Sequence, residues 1–267
     1  MNNNLKIYES ILLFFIFFCC AINNHAQSNN LQQSDSVIND KNLNTSISDI
    51  LDAKDLKAIS SFGDTLILNR FLDEIKNFEK DDSINLDRKI DIVFTGSSSI
   101  RKWTNLQNDM KELKVVNRGF GGSTIPEVIY YSDILVFKHK PTKIVFYAGE
   151  NDISQTKTNP TKVLNSFIYF QKLVNQKLPN ACLYFVAIKL SPSRSKYWNS
   201  IKTTNKMIEQ YCTSTKNCVF INPNKFMLDS NKQIRKDIYL KDQLHLNAEG
   251  YQIWTKVIYN AIKKQNK

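Results

Sequence analysis

Apolar residues recur along this chain in two rhythms. Short runs that are apolar almost throughout lie within Asp91 to Ile100, at Leu113 to Val116, at Lys143 to Tyr147, at Cys182 to Ile188 and at Cys218 to Ile221. Runs of this kind predict strands buried on both faces. Between them the spacing turns helical: Ile67, Phe71, Leu72, Ile75 and Phe78 share one face ahead of the first strand. Pro126 to Phe137, Thr161 to Lys177 and Tyr197 to Cys212 follow, and a last helix from Ala248 to Ile262 sets Tyr251, Trp254, Val257, Ile258 and Ala261 on one side. Strands alternating with helices predict an α/β chain, a three-layer α/β/α sandwich whose central sheet is mostly parallel with right-handed crossovers. The residues that follow each strand then gather at one edge, where such sheets bind ligands.

Polar clusters stand at those strand ends. The first run breaks at Gly96 into Ser97-Ser98-Ser99, and after Val116 comes Asn117-Arg118-Gly119-Phe120-Gly121-Gly122-Ser123-Thr124. So many glycines imply a backbone that turns sharply or approaches a ligand closely. Gly149-Glu150-Asn151-Asp152 follows Tyr147, and Asp242-Gln243-Leu244-His245 precedes the last helix. Taken singly, each is also a reading for turn or cap residues: serines at a helix start, Gly122 in a tight turn, Asn151 in an Asx-type turn with Asp152, and Asp242 as a cap.

In order and spacing these four blocks resemble the SGNH, or GDSL-like, family of serine esterases and lipases, named for blocks that supply Ser, Gly, Asn and His. The likeness runs from about Phe78 to Trp254 and is nearest to a secreted bacterial branch, with Gly96-Ser97-Ser98-Ser99-Ile100, Asn117 to Gly122, Gly149 to Asp152, Asp242 to Asn247 and the Ser191 to Arg194 stretch. The resemblance implies an SGNH/flavodoxin-like sandwich, Ser98 as nucleophile, and an oxyanion hole of Ser98, Gly122 and Asn151. Ser97 stands where the family name has Asp, which is not the acid of the catalytic triad, and the Gly-x-Ser-x-Gly elbow of ordinary α/β-hydrolases is absent.

Residue chemistry leads the same way. A serine hydroxyl needs a neighbouring base, most often histidine, and the chain has three histidines. His25 falls in an expected leader, and His139 precedes a strand, so it should lie at the opposite edge of the sheet as an exposed loop residue. His245 is left as the base, with Asp242 three residues earlier placed to orient the ring and stabilise the imidazolium. Of the three adjacent serines, Ser98 fits best where a turn opens a helix, because its own N–H can then join the oxyanion hole.

Other classes fit less well. Gly-Lys-Ser/Thr and the dinucleotide fingerprint are both missing. With His139 and His245 left after leader removal and no Cys-x-x-Cys, a metal site and a cofactor are not expected. Acyl transfer to a sugar hydroxyl, or an inactive glycan-binding module on the same fold, remain the alternatives to hydrolysis. No long apolar insertion that could form a lipase lid separates the blocks, so the expected substrate is a short acyl ester, acetyl above all, on a carbohydrate or other polar alcohol.

Composition adds the setting. The 267 residues, 42% of them hydrophobic, suit one sizeable domain. Lys6 ahead of the apolar run Ile11 to Ala21 reads as a signal peptide, residues 1–26, cut near Ala26 and too short to span a bilayer. Residues 27–61 read as a polar extension and 62–267 as the catalytic domain, and the leader predicts a protein in the periplasm or outside the cell without stable membrane insertion. Phe17 and Phe18 ahead of Cys19 and Cys20 argue against lipid attachment. The formal charge of +11 is dispersed, with no Lys/Arg block interleaved with aromatics, so nucleic acid is not an expected partner. Cys212 and Cys218 are close enough in sequence to pair, and buried free thiols are the equal alternative.

Overall fold

A computed structural model describes residues 69–264 of the protein. The expected leader, the polar extension and Ile67 lie outside the described residues. Within them β1 (Ile92–Gly96), β2 (Val115–Gly119), β3 (Lys143–Tyr147), β4 (Cys182–Val186) and β5 (Cys218–Ile221) form a five-stranded sheet in the order β2-β1-β3-β4-β5, every pairing parallel. The α/β/α expectation holds.

Both sheet faces are buried, which is why the strands are apolar without alternation. Along β3, Ile144 and Phe146 enter one core while Val145 and Tyr147 enter the other. On the first face pack α1 (Leu72–Ile84), α4 (Ile125–Tyr130), α5 (Ser132–Leu135), α7 (Pro160–Lys177) and α8 (Trp198–Ser214), around Phe146, Phe167, Phe170 and Phe185. The second face is covered by α2 (Ser98–Arg101), α3 (Leu106–Asp109) and α9 (Ala248–Lys264), around Trp103, Tyr147 and Trp254. A further short helix, α6 (Glu150–Ser154), follows β3 directly.

Several expectations change in detail. The helix predicted over Pro126 to Phe137 is broken: Tyr131 separates α4 from α5, and a 3-10 turn covers Phe137–His139. Ser132 Oγ donates to the Ile129 carbonyl at 2.6 Å, a local bond that competes with the helical ladder. Strand β2 continues through Asn117 and Arg118 to Gly119, so part of the second polar cluster is strand. Arg118 is buried and pairs with Asp81 and Asp82 of α1, a structural clasp. Strand β4 stops at Val186 because Asn205 of α8 takes both backbone groups of Ile188, at 2.9 and 2.8 Å.

His139 is corrected too. It does lie ahead of β3, away from the serines, but its side chain is only 6% exposed and stands near Asp82. The nearest Asp82 oxygen, on α1, lies 3.7 Å from its Nε2. The sulfurs of Cys212, near the end of α8, and Cys218, at the start of β5, lie 2.7 Å apart as free thiols, buried like Cys182.

Candidate active site

Everything at the catalytic edge is built on the abrupt end of β1. Gly96 has φ +127°, and a Cβ there would stand 1.9 Å from the Tyr147 carbonyl oxygen of β3. Only glycine lets the chain turn this close to its neighbour. Ser97 N–H then donates to that same oxygen at 2.9 Å, and Ser98 opens α2. Burial separates the three hydroxyls that the sequence offers: Ser97 is 2% and Ser99 1% exposed, whereas Ser98 is partly open to solvent.

Ser98 Oγ lies 2.9 Å from His245 Nε2, and His245 Nδ1 lies 2.6 Å from Asp242 Oδ2. The other Asp242 oxygen accepts from the backbone N–H groups of Leu244 at 2.9 Å and His245 at 3.0 Å. Burial works to raise the Asp242 pKa, but the His245 ring and these N–H donors outweigh it and hold the carboxyl at about 2. It is therefore an anion at neutral pH and can only accept, so Nδ1 carries a proton, and in the neutral ring Nε2 is the acceptor that faces Ser98. The loop reaches Ser98 from beyond β5 because α9 anchors its end. Asn247 caps that helix by accepting from Gly250 N–H at 3.1 Å, and Trp254 packs 5.0 Å from the Tyr147 ring. Earlier in the loop, Gln243 carbonyl accepts from Ser193 N–H at 3.0 Å.

Gly122 and Asn151 flank Ser98 on either side, since β2 and β3 are the two neighbours of β1 and Gly96 is in register with both Gly119 and Tyr147. Gly122 has φ +60°. The backbone N–H groups of Ser98 and Gly122 carry no hydrogen bond among the described residues. Asn151 Oδ1 accepts from Gln155 Nε2 at 3.0 Å and its Nδ2 donates to the Ser123 carbonyl at 3.0 Å, which fixes the amide and ties the third block to the second. The glycine loop is held further by Glu74 of α1, accepting from Gly121 N–H at 3.0 Å, and by Asp152, accepting from Ile125 N–H at 3.1 Å. Burial pushes the Asp152 carboxyl up to about 7 despite that bond. Asn117 Nδ2 donates to the Ile100 carbonyl at 2.7 Å, joining β2 to the helix that Ser98 opens.

A partly exposed serine, an imidazole whose Nε2 faces its hydroxyl, and an anionic carboxylate in a continuous hydrogen-bonded chain form an arrangement able to generate an oxygen nucleophile. Across residues 87–253 the chain matches the GDSL-like lipase/acylhydrolase family. The chain belongs to this family. It is accordingly a hydrolase acting on ester bonds. No curated protein matches the chain. Among solved structures it is similar to a Streptococcus pneumoniae protein named for platelet activating factor, at 20% identity and TM-score 0.63 over 75% of this chain and 98% of that one. It is also similar to a GDSL-like lipase from Bacteroides thetaiotaomicron, at 21% identity and TM-score 0.60 over 72% and 98%. A family 3 carbohydrate esterase from Clostridium thermocellum aligns at 20% identity and TM-score 0.50 over 64% and 94%. At these identities the likeness is one of fold.

Several polar residues of this acylhydrolase that support the site are silent in its motifs. Glu74 belongs to an amphipathic helix whose polar face reads as solvated. Lys189 had one signal, a charge directly after the apolar run Cys182 to Ile188 and before Leu190. Ser99, one of the three serines of the first block, accepts from Lys189 Nζ at 3.1 Å. A cavity of about 530 Å³ opens along β2 between Phe78, Arg88, Trp103 and Arg118, and none of Ser98, Asp242 or His245 lines it. Among the described residues no group of three or more His, Cys, Asp and Glu is placed to hold a metal ion.

Proposed function

We propose that this acylhydrolase is a serine esterase that removes short acyl groups, acetyl above all, from a carbohydrate or another polar alcohol through an acyl-enzyme on Ser98. The observation that carries the proposal is the Ser98–His245–Asp242 chain, at 2.9 and 2.6 Å. His245 Nε2 takes the Ser98 proton as Oγ attacks the ester carbonyl, and Asp242 keeps the ring in the required tautomer and balances the imidazolium. The oxyanion of the tetrahedral intermediate is met by the N–H groups of Ser98 and Gly122 and the Asn151 amide, each such donor contributing about 3 to 4 kcal/mol in the transition state. When the intermediate collapses the C–O bond breaks and His245 returns its proton to the leaving alkoxide. Water, activated in the same way, then releases the acid and regenerates Ser98.

The choice of a short acyl group rests on the absence of a long apolar insertion between the blocks, and the polar alcohol is supported by the carbohydrate esterase among the structural neighbours. The test is turnover of p-nitrophenyl esters from acetate to palmitate beside acetylated glycans, together with fluorophosphonate labelling of wild type and Ser98→Ala. The expected outcome is the highest kcat/KM on acetyl esters, a label on Ser98 alone, and a loss in kcat of at least about a thousandfold in Ser98→Ala. Palmitoyl esters turned over faster than acetyl would overturn the substrate class, and acyl appearing on an added sugar would make it a transferase. A folded wild type that takes no label would leave an inactive glycan-binding module. The same reading has the protein exported after cleavage near Ala26, checked by N-terminal sequencing of cell-envelope material; an intact Met1 on cytoplasmic protein would refute it.

A further inference from the structure

Directly beneath the Ser98 turn lies a buried polar cluster that the acyl-transfer steps leave unused. Lys189, 0% exposed, places Nζ 2.5 Å from Glu150 Oε2, 3.1 Å from the Tyr147 hydroxyl and 3.1 Å from Ser99 Oγ. Glu150, 4% exposed, also accepts from Tyr147 OH at 2.9 Å and from Ser191 Oγ at 2.7 Å. The cluster joins the ends of three adjacent strands, with Ser99 beyond β1, Tyr147 and Glu150 at the end of β3, and Lys189 and Ser191 beyond β4. Burying a lysine and a glutamate together is a poor route to stability, because desolvation of both ions consumes most of what their attraction returns, and uncharged groups of similar volume often serve as well. The pair calls for another account, and its covalent neighbours supply one.

Ser99 is the residue after Ser98, and Glu150 is the residue before Asn151. Lys189 therefore grips one side chain next to each of two oxyanion donors. The Ser99 carbonyl is held independently by Tyr251 OH of α9, at 2.9 Å. We infer that the Lys189–Glu150 ion pair is a positioning device that sets the spacing between the Ser98 N–H and the Asn151 amide. This rests on the roles given above to Ser98 and Asn151. Oxyanion donors act through alignment at the transition state, and a misplacement of about 1 Å can cost on the order of a hundredfold in rate. A misplaced pair of donors should therefore reduce kcat and leave KM nearly alone.

Three variants separate positioning from bulk stability. Lys189→Met strands the Glu150 carboxylate in the core, so Tm and kcat should both fall. Lys189→Met/Glu150→Gln removes both charges and keeps an acceptor for Ser191, so Tm should return most of the way toward wild type. Its kcat on p-nitrophenyl acetate should nevertheless stay down by roughly 10- to 100-fold with KM within about twofold, and affinity for a trifluoromethyl ketone should fall in step with kcat/KM. Ser99→Ala, which cuts only the link to the nucleophile turn, should lower kcat severalfold at nearly unchanged Tm, and it decides the matter if the lysine variants do not fold. Recovery of kcat together with Tm in the double variant, or wild-type kcat in Ser99→Ala, overturns the inference while leaving the esterase reading intact. Wild type assayed in parallel tests that reading itself: no label and no turnover there would remove the esterase and the positioning role together.

Discussion

His245 and His139 stand at opposite edges of the same sheet, each with an aspartate nearby, and their surroundings make them different groups. At His245 both ring nitrogens are engaged, Nδ1 by Asp242 at 2.6 Å and Nε2 by Ser98 at 2.9 Å, and the Asp242 carboxylate has no cation paired with it among the described residues. At His139 the nearest Asp82 oxygen is 3.7 Å away and Nε2 has no hydrogen-bond partner. Asp82 is already met by Lys138 at 2.5 Å and by Arg118. Burial pushes the His139 pKa down to about 4; Asp82 opposes this, and the neighbouring Arg118 and Lys138 add to it. A carboxylate within reach does not make a histidine a base. What matters is whether that carboxylate is free to align the ring and whether the other nitrogen faces a group with a proton to give.

Substitution of each histidine is the strongest way to break this contrast. His245→Ala should lower kcat by at least about ten-thousandfold, while His139→Ala should stay within about twofold at a temperature where both are folded. Equal losses in steady-state assays on p-nitrophenyl acetate would erase the distinction.

Next in size is Asp242→Asn, which keeps the shape but lets the amide favour the wrong tautomer, and should cost roughly a thousandfold in kcat. The pH profile sharpens the same point. With its carboxyl held at about 2, Asp242 stays ionised through the working range and does not set the acid limb of kcat/KM. That limb should be the same in wild type and His139→Ala; a limb displaced in the variant would implicate the wrong ring.

Two stability predictions of opposite sign follow from the buried groups. The Asp152 carboxyl, raised to about 7, favours folding most below the ordinary carboxylate range, and that contribution is lost as pH rises through about 7. Asp152→Asn keeps an acceptor for Ile125 N–H and has no charge to bury. Relative to wild type it should gain up to about 4 kcal/mol between pH 4 and pH 8, read from denaturant midpoints. A constant difference across that span would mean that the carboxyl is not held protonated.

His139 works the other way. Its lowered pKa means the unfolded chain takes up a proton that the folded protein refuses, so stability falls as pH drops from about 6.5 through about 4. His139→Gln, neutral throughout, should shed that part of the acid sensitivity, up to about 3 kcal/mol in the same titration. Parallel curves for variant and wild type would show that burial does not keep the ring neutral.

How much of this was legible beforehand differs by element. The apolar runs at β1, β3 and β5 and the periodicity of α7, α8 and α9 are local patterns, and the elements formed close to where the patterns lie. The break at Tyr131 and the early end of β4 were hidden, because each depends on one side chain, Ser132 or Asn205, diverting a backbone hydrogen bond. His139 read as an exposed loop residue because nothing near it in sequence reveals that Asp82 of α1 and Arg118 of β2 come close to it.

The sequence by itself determined the α/β alternation, the gathering of four polar blocks at one sheet edge, and the choice of Ser98, Gly122, Asn151, Asp242 and His245 as the candidates for acyl chemistry. These follow from periodicity, from motif spacing and, for Gly122 and Asn151, from the family resemblance that the blocks carry, all of them read from the chain alone. Tertiary structure decided which of three adjacent hydroxyls is accessible, that Asp242 is free while Asp82 is not, and that Lys189 and Glu150 meet beneath the nucleophile turn. Solvent access, competition among ion pairs and the burial of a charge depend on neighbours brought together from distant parts of the chain. Lys189 and Ser99 are ninety positions apart, yet they lie 3.1 Å from each other in the fold.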